Sequence, residues 1–432
     1  MKRIYLVTDF GAVANANELQ TDKIQSAIDK AFLDGGGEVV IPKGVFNTST
    51  IRMRSNVTLH LLSGAVLSGS TNHLDYTHFL DDKIEPINPQ EEVDEEYGVG
   101  TFVLKRWYDA LIKAYKAENI KIIGDKDSYI VGNNTFNPDG EEGYRGPHAI
   151  QMTYCKNVEL CGYTIKDSAN WAHTIYKSQN IFAHQLTVLG GHDGFHVRVC
   201  KNVLIENSEF YTGDDCIAGF ANENVVIKNC MLDCACSALR FGGSGVLVDN
   251  CKTHAPSRYG FRGSLSLEEK KASAPTHEGC RHTQHTPFLY FCDFPVKVDK
   301  PQGNIVIQNC EFDSPNSFFR LRWGRQWCQN RSLSDITFKN CKCRNVTMPI
   351  ELFSDVNEPC TFRLVDVEIS PKKGYENIAF MVADSFKQIY FDNVTLTNFN
   401  NPTIYTKTDG KITIKDSSNV FIQKVDDLDK YL

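Results

Sequence analysis

Three aspartates, in two short segments, are the residues of this chain that are best suited to acid–base chemistry. Asp193 lies in GGHDGFHV, and Asp214 and Asp215 follow it by 21 and 22 residues in YTGDDCIAG. Carboxylates held close together repel one another, so at least one of their pKa values must rise. A protonated acid beside ionised carboxylates can protonate a leaving oxygen and activate water, which is the arrangement that a hydrolase needs.

A Gly-Asp-Asp segment by itself is also typical of a solvated turn, and clustered carboxylates also bind calcium. The interval between Asp193 and the Asp214-Asp215 pair favours the catalytic interpretation, because it equals the period of a repeat that runs through much of the chain.

Short apolar stretches, each opened by an asparagine, mark this repeat. Asn157, Asn180, Asn202 and Asn224 are separated by steps of 23, 22 and 22 residues. Within each stretch apolar and polar residues alternate and Val and Ile are frequent, which is typical of β-strands. A fixed period in this range predicts a solenoid whose coils bury their apolar faces by stacking. Because the leucine-rich repeat pattern is absent, we predict an all-β parallel β-helix.

Coils of this period would bring the three aspartates together. Asp193 and the Asp214-Asp215 pair would lie at the same angular position on adjacent coils, about 4.8 Å apart along the stack. Because residues 214 and 215 are consecutive, their side chains must diverge unless a turn or bulge directs both into one groove.

The whole chain, 1–432, is predicted to form one domain, since a solenoid grows by adding coils. Residues 1–50 are expected to form an end cap, in which an α-helix over 21–32, with Thr21 as its N-cap, covers the first coil. Three predicted insertions interrupt the repeat and would build the walls of a groove: about 70–100, 131–147 and 265–300.

The charge balance argues against some partners. The 46 basic and 53 acidic residues give a net charge of −7, which disfavours nucleic acid and anionic membranes. The fifteen cysteines are expected to be mainly buried free thiols, with disulfides as the alternative. Cys230, Cys251, Cys310 and Cys341 each follow a repeated Asn and should stack on one inner face. Free thiols and the lack of a signal-peptide pattern favour a cytoplasmic location, with a removed leader as the alternative. The sequence indicates no oligomeric state.

Several segments resemble the polygalacturonase family of glycoside hydrolases, which are right-handed parallel β-helices that hydrolyse pectin. The likeness covers most of the chain and is strongest over 191–264. It includes Asp9-Phe10-Gly11-Ala12, GGGEVVIPKGVF (35–46) and RGPHAIQMTYCKNVELCGYTIKDSANW (145–171). The resemblance implies that Asp214 is the general acid, and that Asp193 and Asp215 position and deprotonate the attacking water, with inversion at the anomeric carbon.

The chain departs from the family pattern at three places. The family's Asn-Thr-Asp-Gly becomes Gly191-His192-Asp193-Gly194. Its Gly-His-Gly falls on Ser237-Ala238-Leu239, and its Arg-Ile-Lys, which binds the galacturonate carboxylate, falls on Arg262-Gly263-Ser264. The hydrolytic aspartates are therefore kept better than the residues that recognise uronic acid, and the resemblance supports a glycoside hydrolase more firmly than a polygalacturonase.

Other residues near these segments are candidates for binding substrate, with ordinary surface roles as the alternative. His192 adjoins Asp193 and could replace the missing histidine, while the resemblance places His196 and Arg198 on the groove side. Arg240 and Arg262 could pair with a substrate carboxylate.

Trp323, in FFRLRWGRQW, is a candidate for a distal subsite. His282 and His285, in CRHTQHTPF, lack a third ligand at suitable spacing. We therefore predict a plain loop there, no metal and no cofactor.

The sequence thus predicts an inverting glycoside hydrolase that acts on a pectin-derived or other acidic oligosaccharide. Two alternatives keep the fold. One is a uronide lyase, in which Arg262 would act with the aspartates. The other is a non-catalytic carbohydrate-binding β-helix, favoured if the departures mean lost activity.

Overall fold

The computed structural model describes residues 3–76, 84–85, 109–292, 301–323 and 331–432. These residues form a right-handed parallel β-helix, as predicted, in which every strand pairing is parallel and most coils contribute a strand to each of three sheets. We call the sheets A, B and C in the order in which a coil passes through them.

Sheet A contains the strands Ile4–Leu6, Gly37–Ile41, Val57–Leu61, Glu118–Gly124, Lys156–Cys161, Gln179–His184, Lys201–Glu206, Gly303–Gln308 and Lys411–Lys415. Sheet B contains Gly44–Thr48, Ala65–Gly69, Tyr129–Val131, Thr164–Lys166, Thr187–Gly190, Glu209–Thr212, Met231–Cys234, Lys252–His254 and Glu311–Asp313. Sheet C contains Ile51–Arg52, Ala110–Tyr115, His148–Thr153, His173–Tyr176, Phe195–Arg198, Thr286–Tyr290, Phe319–Arg322, Ile350–Phe353, Met381–Asp384, Thr403–Thr406 and Phe421–Lys424.

Five longer strands pass from one sheet into the next. Ile217–Lys228 and Ser237–Asp249 run from sheet C into sheet A of the following coil, and Asp335–Val346, Thr361–Pro371 and Gln388–Leu396 run from sheet A into sheet B. The apolar residues that alternate along the strands of all three sheets point inward and form one continuous core.

The repeated asparagines occupy the turn between sheets C and A. Asn157, Asn180, Asn202 and Asn224 have φ angles of 54° to 57°, a left-handed conformation that Asn tolerates better than most residues. Each side-chain amide donates a hydrogen bond to the side-chain oxygen of the Asn one coil earlier, at 2.9 to 3.2 Å. The repeat therefore marks a conformational requirement and a continuous hydrogen-bonded column.

An α-helix covers the first coil, as predicted. This helix, α1, spans Thr21–Leu33 and buries Ile24, Ala27, Ile28 and Ala31. The prediction that Thr21 is the N-cap is wrong by one residue. Gln20 occupies that position, and the Thr21 hydroxyl instead accepts a hydrogen bond from the Ser49 amide at 2.9 Å, which joins the helix to the first coil.

The predicted insertions have different outcomes. Most of 70–100 lies outside the described residues. The segment 131–147 folds as a loop with one 3-10 turn, Glu141–Gly143. The segment 265–300 is not a continuous interruption, because after a short helix, α2 (Leu267–Lys271), the strand Thr286–Tyr290 rejoins sheet C beside Ser237–Asp249.

The cysteines within the described ranges are free thiols, and all of them except Cys280 are buried. Cys230, Cys251, Cys310 and Cys341 lie in register on successive coils, as expected from their position after the repeated Asn. No helix in the described part of the chain is long and apolar enough to cross a membrane.

Candidate active site

Asp193 and Asp215 occupy equivalent positions on adjacent coils, at the start of sheet C. Phe195 pairs with Ile217 across the two coils, so Asp193 and Asp215 lie in the same register. The Asp215 amide donates to Asp193 Oδ1 at 3.3 Å, and the amide of Ser237, one coil further on, donates to Asp215 Oδ1 at 2.8 Å. These contacts hold the two carboxylates in a column that follows the axis of the helix.

Asp214 belongs to a neighbouring column, which contains His192 one coil before it and Cys236 one coil after it. One carboxylate oxygen each of Asp214 and Asp215 and the Cys236 sulfur lie within 4.8 Å of one another. The turn before Ile217 therefore lets both consecutive aspartates approach the same place. The Asp214 side chain is 16 % exposed, whereas those of Asp193 and Asp215 are 2 % and 5 % exposed.

Two arginines partly balance these charges. Arg240 Nε pairs with Asp215 Oδ2, and its Nη2 lies 3.5 Å from Asp193 Oδ2. Arg145, from the 131–147 insertion, places its Nη2 3.3 Å from Asp214 Oδ2. Arg240 was predicted to pair with a substrate carboxylate, but it pairs with the protein's own aspartates, because one coil of separation brings it beside Asp215.

Burial raises the pKa of Asp193 well above its ordinary range, and the nearby carboxylates of Asp214 and Asp215 act in the same direction. Burial also raises the pKa of Asp215, against the opposing effect of the Arg240 guanidinium. Asp193 and Asp215 therefore hold a proton more readily than exposed aspartates would, mainly because they are buried.

His196 lies beside this column, with its Nδ1 3.2 Å from Asp193 Oδ2 but without hydrogen-bond geometry. Its ring packs against Trp171, with the ring centroids 3.9 Å apart. Burial lowers the pKa of His196 well below its ordinary value, and the charges of Arg198 and Arg240 add to this effect. A neutral imidazole therefore borders the carboxylates at neutral pH.

The ring nitrogens of His192, the candidate replacement for the family histidine, form no hydrogen bond to Asp193. Neither ring nitrogen has a hydrogen-bond partner in the described part of the chain, and the ring centroid lies 5.8 Å from that of Tyr144. Burial lowers its pKa well below the ordinary range, with Arg145 and Arg262 acting in the same direction. His192 is therefore a buried, neutral group one residue before Asp193.

Arg262 lies near His192 and is almost fully buried. Its Nη2 donates to the Lys270 carbonyl oxygen at 2.8 Å, while Nε and Nη1 have no partner among the described residues. Burial lowers its pKa to about 10, so it stays charged at neutral pH. Buried N–H groups of a cation without hydrogen-bond partners are costly, and an anionic ligand would satisfy them.

The remaining predicted site residues lie further away. The Arg198 guanidinium lies over the rings of Trp171 and Tyr176, at 5.3 and 5.4 Å from their centroids. Trp323 follows the strand Phe319–Arg322, three coils beyond Asp215, and its amide donates to the Phe353 carbonyl oxygen at 2.9 Å. The structure thus groups Arg240 and His196 with the aspartates and leaves Trp323 distant.

Sequence reasoning missed the side chains that the insertion 131–147 contributes. Arg145 Nε lies 3.2 Å from Glu142 Oε2 and 3.8 Å from Glu141 Oε2, so Arg145 joins this loop to Asp214. Burial raises the pKa of Glu141 to about 7, which the charge of Arg145 opposes. Only the mixed charges of EEGYRG could have indicated this role, because the loop carries no repeat.

The donor set at Asp214, Asp215 and Cys236 has the atom types of a cation site. Each of the three groups is already contacted by a guanidinium, from Arg145, Arg240 and Arg281 respectively. Positive charge is therefore already present at these atoms, and this arrangement favours a hydrolytic site over a calcium site.

Comparisons with known proteins agree with this geometry. Residues 98–237, which include all three aspartates, match the family model described as glycosyl hydrolases family 28. A probable polygalacturonase of Vitis vinifera is 27% identical over 233 residues, which cover 49% of this chain and 43% of that protein. An exo-poly-alpha-D-galacturonosidase of Dickeya chrysanthemi is 27% identical over 253 residues, covering 50% of this chain and 41% of that protein.

The chain therefore matches less than half the length of these two relatives. A solved structure, the family 28 exopolygalacturonase of Yersinia enterocolitica, superposes with a TM-score of 0.65 at 18% identity, covering 97% of this chain and 78% of the other. This likeness supports the fold. The family model over residues 98–237 and the sequence relatives show that this part of the chain is similar to glycosyl hydrolases family 28.

Proposed function

We propose that this protein hydrolyses glycosidic bonds in an acidic, pectin-type oligosaccharide, with inversion at the anomeric carbon. The observation that carries the proposal is the meeting of Asp193, Asp214 and Asp215 on adjacent coils near the buried cation Arg262, whose Nε and Nη1 have no hydrogen-bond partner in the described part of the chain. The first part of this arrangement supplies acid–base chemistry, and the second supplies a partner for a uronic acid carboxylate.

Asp214 suits the role of general acid. Its side chain is the most exposed of the three, so it can reach the oxygen of a leaving sugar. The Thr212 hydroxyl donates to the Asp214 carbonyl oxygen at 2.9 Å and fixes the backbone of this turn. The proton that Asp214 delivers stays with the departing sugar.

Asp193 suits the role of general base better than Asp215. Both oxygens of Asp215 are occupied, one by the Ser237 amide at 2.8 Å and the other by Arg240. The contacts of Asp193 are longer, at 3.2 to 3.5 Å. Asp215 also has an oxygen within 4.8 Å of Asp214, less than the roughly 6.5–9.5 Å that inversion needs to accommodate water. Asp193 therefore activates the water, and Asp215 orients it.

The substrate class follows from the cationic groups near Asp214. Arg145, Arg262 and His192 lie around the Tyr144 ring, which is also 4.7 Å from the Lys270 ammonium. A sugar carboxylate placed there would pair with Arg262 Nε and Nη1, which have no partner within the described ranges. The activities named for the two sequence relatives support a galacturonide.

We extend the proposal to location and substrate length. Buried free thiols are typical of a reducing compartment such as the cytoplasm. A cytoplasmic enzyme would receive short imported fragments in place of the polymer, and it would act on their ends.

The test is a panel of pectic oligosaccharides, with NMR detection of the anomer that forms first. We expect a product of inverted configuration and no ultraviolet absorbance from an unsaturated sugar, which a lyase would produce. Asp214→Asn should lower kcat by about 10²–10⁴-fold and keep substrate binding. Asp416→Asn, at an exposed aspartate, is the matched control.

A retained configuration would exclude the inverting mechanism, and an unsaturated product would favour the lyase. Binding that persists without turnover in the wild-type protein would favour the carbohydrate-binding alternative.

A further inference from the structure

Three side chains of the kinds that bind transition metals meet on sheet A, whereas the aspartates lie at the start of sheet C. Glu159 and Cys161 are two residues apart on the strand Lys156–Cys161, and His184 ends the strand Gln179–His184 on the next coil. One carboxylate oxygen, the sulfur and one ring nitrogen lie within 4.8 Å of one another. Carboxylate, thiolate and imidazole groups are the ligands that Zn²⁺ prefers in proteins.

The regular pairing of the two strands fixes these side chains on one face. Cys161 pairs with His184 across the two coils. Leu160 and Ala183, which precede them, belong to the core, so the alternation of a strand directs Cys161 and His184 outward. Glu159, two residues before Cys161, points to the same side. The cluster is therefore held by the backbone ladder of a sheet and does not depend on a loop.

The distances suit a tetrahedral ion. His184 Nε2 lies 3.5 Å from Glu159 Oε1. Zinc–ligand distances of about 2.0–2.3 Å place two ligand atoms of a tetrahedral site about 3.3–3.6 Å apart, so the nitrogen and the oxygen already have the required separation. The Cys161 sulfur is at most 4.8 Å from either atom, and a small rotation of its side chain would bring it into the same shell.

The nitrogen of His184 and one oxygen of Glu159 are available to an ion. His184 Nε2 is buried and forms no hydrogen bond of normal geometry within the described ranges, and its ring stacks on Phe182 with the centroids 4.2 Å apart. Lys121 pairs with the other oxygen of Glu159, Oε2, and leaves Oε1 facing the histidine. A buried polar atom without a partner is costly, and coordination would satisfy it.

Cys161 would coordinate as a thiolate. Burial raises the pKa of its thiol to about 11, and the Glu159 carboxylate acts in the same direction, so the thiol is protonated at neutral pH. On binding, the S–H bond breaks, the proton passes to solvent and the sulfur bonds to the ion. The side chains of His184 and Glu159 are 18 % and 29 % exposed, so an ion can reach the cluster from solvent.

We propose that Glu159 Oε1, Cys161 Sγ and His184 Nε2 form a zinc site on the outer face of sheet A, with water as the fourth ligand. The ligands come from two adjacent coils, so a bound ion would link these coils and stabilise the folded chain. The inference is independent of the proposed hydrolysis, because the site lies on a different sheet from the aspartates. It departs from the sequence prediction of no metal, since zinc motifs are recognised by short spacings and these ligands are one coil apart.

The test is a titration of the wild-type chain with Co²⁺, whose charge-transfer absorption reports coordination by a thiolate, followed by displacement with Zn²⁺. We expect one ion per chain and loss of the absorption in Cys161→Ser. His184→Gln and Glu159→Gln should each weaken Zn²⁺ binding by at least about 10-fold. Zn²⁺ should also raise the unfolding temperature of the wild type but not that of Cys161→Ser. Cys280→Ser, at a partly exposed cysteine, is the matched control and should keep the absorption.

Circular dichroism of the metal-free variants establishes that they are folded. If Cys161→Ser does not fold, His184→Gln and Glu159→Gln, which alter partly exposed side chains, decide the question. The site is wrong if the wild type binds neither ion, if the ligand variants bind Zn²⁺ as tightly as the wild type, or if Cys280→Ser loses the absorption. It is also wrong if Asp214→Asn abolishes the absorption, because the ion would then be bound at Asp214, Asp215 and Cys236.

Discussion

The asparagine column and the aspartate column use the same stacking geometry with opposite consequences. Asn180, Asn202 and Asn224 repeat at one position on adjacent coils, and so do Asp193 and Asp215. An amide both donates and accepts hydrogen bonds, so each Asn satisfies the next. A carboxylate only accepts, so stacked aspartates repel one another and need donors from elsewhere.

The structure supplies those donors from the backbone and from arginine. The amides of Asp215 and Ser237 and the guanidinium of Arg240 contact the aspartate column. Burial nevertheless keeps the pKa of both aspartates raised. Side chains that repeat on successive coils stabilise the fold when they can hydrogen-bond to one another, as the asparagines do. When they repel one another, as the aspartates do, the same stacking produces electrostatic strain in the folded state. Strain of this kind is expected where carboxylates exchange protons with a substrate.

Replacing Asp193 by Asn makes the aspartate column resemble the asparagine column, and we expect the largest effect from this change. Loss of the general base should lower kcat by about 10²–10⁴-fold. Because its folded-state pKa is raised, Asp193 costs stability once the pH exceeds the ordinary value of 3.8. Asp193→Asn should therefore be more stable than the wild type at pH 8, by about 1 kcal/mol, with the difference shrinking towards pH 4.

Urea unfolding at pH 4 and pH 8, together with kcat, measures both parts of this prediction. Asp416→Asn should change neither quantity. An Asp193→Asn protein that is inactive and also less stable at pH 8 would contradict the claim that this column is strained.

Replacing Arg240 by Gln removes the donor that the aspartate column needs. Arg240 lowers the pKa of both Asp193 and Asp215, so both pKa values should rise without it. The acidic limb of the pH profile of kcat/KM, where the base becomes protonated, should therefore move to higher pH. Stability at pH 8 should fall by about 3 kcal/mol, because a buried carboxylate loses its cation.

The stability loss should diminish as the pH falls, since protonated aspartates no longer need the cation. Arg240→Lys is the control, which keeps the charge and should shift the acidic limb less. A pH profile that is unchanged in Arg240→Gln would show that Arg240 does not set the protonation of the base.

The sequence alone was sufficient to predict the structural features that repeat from coil to coil. The spacing of Asn157, Asn180 and Asn202 predicted the coils, and the interval from Asp193 to Asp215 predicted that these aspartates adjoin. Each coil repeats the local structure of its neighbours, so residues that are one period apart in the sequence occupy equivalent positions on adjacent coils.

The features that do not repeat could not be placed in this way. Arg145 and Arg281 come from insertions, and only the folded chain brings them to Asp214 and Cys236. Arg240 was identified as an anion-binding residue, but the sequence does not distinguish a carboxylate of the substrate from one of the protein. The N-cap of α1 was misplaced because Thr21 bonds to the first coil, a contact between distant segments.

Interrupting the asparagine column should have the smallest effect, and it should leave activity unchanged. Asn202 donates to Asn180 at 3.0 Å and accepts from Asn224 at 3.2 Å, so Asn202→Gly removes two hydrogen bonds that are worth about 1 kcal/mol each. Asn202→Ala should cost about 1 kcal/mol more, because alanine disfavours the φ angle of 56° that glycine accepts. Urea unfolding of the two variants separates the hydrogen bonds from the backbone strain. If Asn202→Gly were as stable as the wild type, the amide column would contribute nothing, and the contrast with the aspartates would then rest on charge alone.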